Sequence, residues 1–188
     1  MRLDPEQVRR ALASHAPQRL PRENLAPAAV LVPLFARDGE EQVLFTRRPD
    51  TMPHHRGEIS FPGGRRQPED PDLLATALRE TEEEMGIAAR DVRILGRLDD
   101  FFSVHGYHVT PFVGCFPYPY TFRVNVREVA EVITVPLARL RDPAIFHIED
   151  WSHRGRDYPV HFYQIDHHQI WGLTAAILTQ FLDRITAR

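Results

Sequence analysis

The sequence predicts an α/β protein in which a mixed β-sheet lies between helices. Apolar runs with strand character outnumber helical segments, and helical patterns occur near both ends of the chain and in its middle. The 188 residues suit one domain, and 43% hydrophobic with 26% charged residues is ordinary for a globular protein. We therefore expect a single domain, with residues 1–26 as an N-terminal helix and extension and residues 27–188 as its body.

Helices are predicted at three places. Asp4 before Pro5 reads as an N-cap followed by a residue whose backbone is preset for the first helical turn, and Asp70 before Pro71 repeats this pattern. The last helix is predicted because apolar residues recur at helical spacing from Ile170 onward. The expected helices cover about residues 5–13, 71–85 and 169–186.

Strands are predicted where apolar runs are bounded by turn residues. The run AAVLVPLFA is continuously apolar, which indicates a buried strand, and EQVLFTRR is its hairpin partner across the turn RDGE. Residues 49–64 are rich in turn-forming residues around one short strand. The expected strands cover residues 28–36, 41–48, 58–61, 92–99, 107–116 and 129–136.

Composition argues against several classes of function. The net charge of -3 gives no sign of nucleic-acid binding, and no apolar run approaches the roughly 18 residues of a membrane span. Cys115 is the only cysteine, which excludes an intrachain disulfide and a multi-cysteine zinc site and is compatible with a reducing compartment. The N-terminus lacks the apolar centre of a secretory signal. We expect a cytoplasmic monomer or homodimer that acts on a small molecule, with no nucleic-acid or membrane partner.

The stretch RETEEEMG places four glutamates on the second predicted helix. At about 3.6 residues per turn, Glu80, Glu83 and Glu84 share an arc of roughly 100° opposite the apolar face, whereas Glu82 lies on another side. Like charges one turn apart repel each other, and acids in the last turn oppose the helix dipole. A solvated acidic face and a cation site are both compatible with this pattern.

A glycine turn directly upstream favours the cation site. Residues 61–64, FPGG, follow a short predicted strand, and two glycines permit a tight turn and close approach of the backbone to a ligand. Mg²⁺ prefers oxygen ligands and is usually shared between carboxylates and substrate phosphates. A glycine turn followed by an acidic helix therefore indicates a metal and phosphate site.

Residues 64–87 resemble the Nudix box, whose usual pattern is G-x5-E-x7-R-E-U-x-E-E-x-G-U with U aliphatic. The matching residues are Gly64, Arg79, Glu80, Glu83, Glu84, Gly86 and Ile87. Thr81 stands where an aliphatic residue is usual, and Asp70 replaces the first glutamate with a spacing to Arg79 that is one residue longer. The resemblance implies the Nudix α/β/α sandwich with a mixed β-sheet between helices, and metal-dependent hydrolysis of a nucleoside diphosphate linked to another group.

A second resemblance is to the segment that precedes the box in Nudix coenzyme A diphosphatases, L-L-T-x-R-x6-H-x-G-x3-F-P-G-G. The residues that fit are Thr46, Arg48, His55, Gly57, Phe61, Pro62, Gly63 and Gly64. Phe45 replaces the second leucine, Pro49 replaces a small polar residue, and residues 106–114 and 170–178 are also similar to this subfamily. The resemblance implies cleavage of coenzyme A to 4′-phosphopantetheine and adenosine 3′,5′-bisphosphate. The alternatives are a Nudix hydrolase of another diphosphate, such as ADP-ribose or NADH, and a binding module that has the fold without the activity.

The family resemblance also implies roles for single residues. The ligands expected for Mg²⁺ or Mn²⁺ are Glu80, Glu83, Glu84 and the carbonyl of Gly64. Arg79 lies four residues before Glu83 and can orient a carboxylate by a fork-like hydrogen bond. The catalytic base is either Glu83 or a glutamate from a later loop, for which Glu128 is the first candidate and Glu131 the second.

Five residues are candidates for substrate contacts: Arg47, Arg48, His55, Gly63 and Tyr107. Only one of Arg47 and Arg48 can face the site because strand side chains alternate, and Arg48 matches the subfamily pattern. His55 is expected to position the substrate or its loop, since Mg²⁺ prefers oxygen to imidazole and adjacent histidines make poor chelates on regular structure. Tyr107 either contacts the substrate or is a half-buried strand aromatic.

Overall fold

The computed structural model describes residues 4–21, 24–51, 56–153 and 155–186. Its helices are α1 (Pro5–Ala13), α2 (Leu73–Met85), α3 (Leu137–Leu140) and α4 (Gly172–Thr186). Its strands are β1 (Ala26–Arg37), β2 (Glu40–Arg47), β3 (Ile59–Ser60), β4 (Gly63–Arg65), β5 (Arg93–Arg97), β6 (Phe101–Phe102), β7 (Tyr107–Cys115), β8 (Glu131–Pro136), β9 (Phe146–His153), β10 (Arg156–Ile165) and β11 (His168–Trp171). None of the described helices combines the length and the apolar character that crossing a membrane requires.

A large mixed sheet forms the centre of the molecule. Its main strand order is β3-β2-β1-β7-β5, and β4, β6 and β8 pair with β1, β7 and β2, respectively. Strands β1 and β7 run parallel along their length, whereas β1 and β2 form the predicted antiparallel hairpin. The parallel pair requires a long crossover, and the chain between β1 and β7 supplies it with α2.

Helices cover both faces of this sheet. On β1, Ala28 and Val32 face the cluster that includes residues of α1 and α4, whereas Ala29 and Leu31 pack against Leu73 and Ala77 of α2. The two sets alternate along β1 because successive strand side chains point to opposite faces. The predicted arrangement, a mixed sheet between helices, is confirmed.

Helix α2 begins two residues later than predicted. Asp72, not Asp70, is the N-cap, and its side chain accepts a hydrogen bond from the backbone nitrogen of Ala75 at 2.8 Å. Asp70 is buried instead, and it accepts hydrogen bonds from Thr76 Oγ1 and Gln67 N at 2.9 Å each. Aspartate is a preferred N-cap residue at either position, so the sequence does not distinguish the two, and the tertiary packing of the first turn does.

A three-stranded antiparallel sheet, in the order β11-β10-β9, was not predicted. The residues assigned to the start of the last helix form β11, where Ile170 pairs with Tyr163 of β10, and α4 begins only at Gly172. Ile170 is fully buried, so it fits the apolar pattern of the helix and of the strand equally well. Gly172, at φ 62, makes the bend between the two elements.

The N-terminal extension is fastened to the domain body. In α1, Val8 and Leu12 are buried in the core cluster, and Asp4 accepts a hydrogen bond from Glu6 N at 3.1 Å as the predicted cap. Beyond α1, Gln18 N donates to Asp99 Oδ1 at 2.8 Å. The boundary at residue 26 stays a prediction.

Candidate active site

The glycine turn lies directly against β1. As part of β4, Gly63 and Gly64 pair with Val30 and Ala29. A Cβ atom on Gly63 would lie 2.4 Å from the carbonyl oxygen of Ala29, and one on Gly64 would lie 2.5 Å from the carboxyl carbon of Glu80. Gly63 is therefore required by the backbone of β1, and Gly64 by the carboxylate of Glu80.

Two glutamates of α2 converge with one from the loop before β8. A carboxylate oxygen from each of Glu80, Glu84 and Glu128 lies within 4.8 Å of the others. Glu84 is only 6% exposed, and burial raises its pKa to about 8 although the nearby charge of Arg48 opposes the shift. Burial also raises the pKa of Glu80, against the effect of Arg79.

This donor set fits a hard divalent cation. Its donors are carboxylate oxygens, the ligands that Mg²⁺ prefers, and burial disfavours the negative charge of two of them, Glu80 and Glu84. Arg48 alone does not bring the pKa of Glu84 back to its ordinary value. A bound cation would neutralise the charge that the protein environment leaves uncompensated.

The metal-free protein should lose stability as the pH rises from 4.5 towards 8, and Mg²⁺ should restore it. In this window folded Glu84, with its pKa of about 8, keeps a proton that the unfolded chain, at about 4.5, has released. The free energy of unfolding therefore falls as the pH rises. Thermal denaturation in EDTA over this pH range measures the slope. The Glu84→Gln variant cannot ionise here, and a slope as steep as that of the wild type would contradict the account.

Glu83 is placed apart from the three converging carboxylates. Its side chain is 50% exposed, and its Oε2 accepts a hydrogen bond from Arg79 Nη1 at 3.0 Å. The three glutamates share one arc of α2 as expected, but the expectation that this arc lies opposite the apolar face is wrong for Glu84, which is buried. The chain between β7 and β8 lies against the end of α2, because Asn125 N donates to the backbone carbonyl of Glu84 at 2.9 Å.

Arg79 links the helix start to the acidic residues. Its Nε and Nη2 atoms donate to the two carboxylate oxygens of Asp70 at 2.9 and 3.0 Å, and Nη1 donates to Glu80 at 2.9 Å. Its guanidinium holds the pKa of Asp70 well below the usual range. Asp70 therefore makes the bidentate contact despite its shorter side chain and longer spacing, and Arg79 in turn orients Glu80.

We expect Asp70→Asn to destabilise the protein by about 2 kcal/mol, less than the full cost of breaking a completely buried pair because Arg79 keeps its contacts with Glu80 and Glu83. Activity should also fall, because Arg79 loses part of its contact with residue 70 and then orients Glu80 less firmly. Chemical denaturation and steady-state rates measure both effects. Asp72→Asn is the matched control, because asparagine caps a helix as well as aspartate does. Equal stability of the two variants would contradict the role given to Asp70.

The segment that carries Glu128 is held by hydrogen bonds before and after this residue. Asn125 Nδ2 donates to Glu128 Oε1 at 2.9 Å, and Ala130 N donates to the carbonyl of Arg47 at 2.8 Å. Val129 between them is buried. Asn125 was not identified from the sequence, although asparagine is a residue that typically stabilises turns through its side chain.

The two arginines at the end of β2 have different surroundings. Leu44 packs in the cluster that includes Met85 of α2, and the alternation of side chains along β2 directs Arg48 to the same side, where its charge opposes the rise in the pKa of Glu84. Arg47 Nε donates to Glu131 Oε2 at 3.1 Å, and Phe45, two residues earlier, belongs to the cluster of α4. Glu131, the second candidate base, therefore lies with Arg47 and outside the acidic group.

Tyr107 is not brought to the acidic group. Tyr107 is half-buried and packs against the core cluster that includes α4, whereas the acidic group is carried by α2. His55 lies outside the described residues. A cleft of about 630 Å³ adjoins the site, and it is lined by Pro27, Arg65, Arg66, Gln67, Pro68 and Glu80. Arg65, which is exposed on the wall of this cleft, was not identified from the sequence because nothing distinguishes it from Arg66 there.

Comparisons with known proteins agree with this architecture. The family model of the NUDIX domain matches residues 25–163. The uncharacterized Nudix hydrolase NudL of Photorhabdus laumondii is 41% identical over 169 residues, which cover 90% of this chain and 89% of that protein. A protein of the same name from Yersinia pestis is 40% identical over 159 residues, which cover 85% and 79%.

Solved structures share the fold at lower sequence identity. A MutT/nudix family protein from Enterococcus faecalis has a TM-score of 0.55 and 17% identity, covering 91% of this chain and 66% of that one. An Ap4A hydrolase from C. elegans, solved as a binary complex, has a TM-score of 0.51 and 22% identity, covering 59% and 80%. The resemblance seen in the box is thus confirmed at the level of the family: the chain belongs to the Nudix hydrolases, which act on pyrophosphate bonds in nucleoside diphosphate derivatives.

Proposed function

We propose that the protein hydrolyses the diphosphate bond of coenzyme A, and of its thioesters, to give 4′-phosphopantetheine or its acylated form and adenosine 3′,5′-bisphosphate. The observation that carries this proposal is the segment 44–64, which resembles coenzyme A diphosphatases and ends at the acidic site. Two of its residues act on Glu84: Gly63 N lies 3.5 Å from the carboxylate Oε1, and the charge of Arg48 opposes the rise in the pKa of that carboxylate.

Other residues of the segment support this placement through packing. Phe45 and Phe61 are buried and stacked, with ring centroids 4.8 Å apart. Thr46 Oγ1 donates to the carbonyl of Ser60 at 3.3 Å, and Arg48 N donates to that of Glu58 at 3.0 Å. These contacts join the two ends of the segment, so that its arginine and its glycine turn reach the same carboxylate.

The cation of the site is Mg²⁺ or Mn²⁺ in this proposal. Glu80 and Glu84 would hold it, with Glu83 and the carbonyl of Gly64 as the further ligands that the box implies. When bound, such a cation neutralises diphosphate oxygens and lowers the pKa of water. The protein supplies the orientation of the carboxylates, because Arg79 fixes Glu80 and the close contact with Gly64 leaves that carboxylate no room to move towards the turn.

The proton and the substrate charge are assigned to other residues. Glu128 accepts the proton of the attacking water, and its contact with Asn125 Nδ2 occupies Oε1 and orients the carboxylate. Arg48 binds diphosphate oxygens with its guanidinium. The predicted contact of His55 with the substrate, the cytoplasmic location and the monomeric or homodimeric state stay predictions.

A substrate panel with product masses tests the proposal. Coenzyme A, its thioesters, ADP-ribose, NADH and dinucleoside polyphosphates are compared by kcat/KM, with the Glu84→Gln variant as a blank for contaminating phosphatases. We expect coenzyme A or a thioester to be the best substrate, EDTA to abolish activity, and Mg²⁺ or Mn²⁺ to restore it. If coenzyme A ranked among the poorest substrates, the proposal would fall and a Nudix hydrolase of ADP-ribose or NADH would replace it.

A further inference from the structure

A second group of metal-binding side chains lies outside the acidic site. Glu131 begins β8, His167 lies in the turn between β10 and β11, and His168 begins β11. One donor atom from each lies within 4.8 Å of the others. His168 Nε2 is 3.1 Å from Glu131 Oε1, and the two imidazole rings have centroids 3.9 Å apart. The group therefore joins the three-stranded sheet to the central sheet.

The turn explains why two adjacent histidines converge here. Ile165 pairs with His168, so only Asp166 and His167 connect the two strands, and Asp166 adopts φ 54. Neighbouring side chains on a strand point to opposite faces, but this left-handed turn residue removes that restriction. Arg139 fixes the turn by donating to both carboxylate oxygens of Asp166 at 3.0 and 2.6 Å. The expectation that adjacent histidines chelate poorly therefore does not apply to this pair.

Glu131 is oriented by a second partner. Arg47 Nε donates to Oε2 at 3.1 Å, which directs Oε1 towards His168. Partners that orient a ligand in this way are characteristic of metal sites.

We propose that Glu131, His167 and His168 form a binding site for a divalent transition-metal ion such as Zn²⁺. Two imidazole nitrogens and one carboxylate oxygen suit zinc and disfavour Mg²⁺, which prefers oxygen ligands throughout. The exposed position of His167 leaves room for water as a fourth ligand. A bound ion would tether β11 to β8, three residues beyond Glu128 in the sequence. The site differs from the acidic group in its donors, and it lies on the α4 side of the central sheet, whereas Glu80 and Glu84 are carried by α2 on the other side.

Zinc titration of tag-free protein in excess Mg²⁺ tests the site. Calorimetry gives the stoichiometry, and absorption by bound Co²⁺ reports the ligand field. Thermal denaturation measures the stabilisation expected when the ion links β11 to β8. His167→Asn and Glu131→Gln remove one ligand each, and His167 is exposed, so its replacement should leave the fold unchanged. His147→Asn is the matched control, because that exposed histidine lies 3.3 Å from a single carboxylate, that of Glu149.

We expect wild type and His147→Asn to bind one more Zn²⁺ than the two ligand variants and to melt at a higher temperature with zinc. In the ligand variants, affinity for that ion should fall by at least about tenfold. Zinc that binds the acidic group remains in all four proteins and cancels in the comparison. No zinc binding by the wild type, or undiminished binding in either ligand variant, would overturn the proposal.

Discussion

Replacing Glu84 by glutamine should lower kcat by orders of magnitude while the protein stays folded. The side chain is buried, lies within 4.8 Å of two other carboxylates and has a pKa of about 8 without a cation. Glutamine keeps the shape and one oxygen but removes the charge that a cation needs. The loss should exceed the roughly 10–100-fold that removal of an outer partner of a metal ligand costs.

Stability separates this effect from unfolding. At neutral pH the carboxyl of Glu84 in metal-free protein is mostly protonated, so the neutral amide should cost little. The melting temperature of Glu84→Gln in EDTA should therefore match or exceed that of the wild type. Glu82→Gln is the matched control, since this glutamate is exposed on the same helix and accepts from Ala89 N at 3.2 Å. Near-normal turnover in Glu84→Gln would refute the assignment of the site.

The two glycines of the turn should fail in different ways when each is replaced by alanine. On Gly64, the new methyl group would lie 2.5 Å from the carboxyl carbon of Glu80, the end of a side chain that can move. On Gly63, it would lie 2.4 Å from the carbonyl oxygen of Ala29 and 2.6 Å from the Cα of Val30, both backbone atoms of β1. We expect Gly64→Ala to fold and lose activity, and Gly63→Ala to lose stability.

Thermal denaturation and kcat measured together distinguish the two cases. For Gly64→Ala, the melting temperature should stay near that of the wild type, while kcat falls because Glu80 is displaced from Glu84 and Glu128. For Gly63→Ala, β4 must separate from β1, which should lower the melting temperature strongly. Gly39→Ala tests the specificity of these clashes, because nothing lies within 4 Å of a Cβ atom there, although its φ of 82 carries its own strain. An active Gly64→Ala would contradict the close packing of Glu80 on the turn.

The parts of the site that lie within one short segment could be predicted from the sequence. The glycine turn and the glutamates of α2 are contiguous, so helical periodicity was enough to separate Glu82 from the others. The distinction between Glu83 and Glu84 could not be made in this way. It depends on Gly63 and Arg48, which act on the Glu84 carboxylate, whereas Glu83 stays half exposed beside Arg79. A residue's burial is set by elements that are distant in sequence.

The same reason explains the errors in the fold. Asp70 and Asp72 are equally suitable as N-caps. Asp70 instead accepts hydrogen bonds from Nε and Nη2 of Arg79, and Asp72 caps the helix by accepting one from Ala75 N. Ile170 continues the apolar spacing of α4, yet its partner is Tyr163 of β10. Strand pairing across a three-stranded sheet leaves no periodic signal beyond that of each strand, and β10 contains Pro159, which weakens its strand character.

A crystal structure with Mn²⁺, in which anomalous scattering locates the ion, tests the position of the cation site. We expect Glu80 and the buried Glu84 to hold the ion, beside the carboxylate of Glu128, which lies within 4.8 Å of theirs. We expect an anomalous peak coordinated by Glu80 and Glu84 in the wild type, and its loss in Glu84→Gln. A peak held by Glu83 without Glu84, or a peak that is unchanged in Glu84→Gln, would refute this assignment.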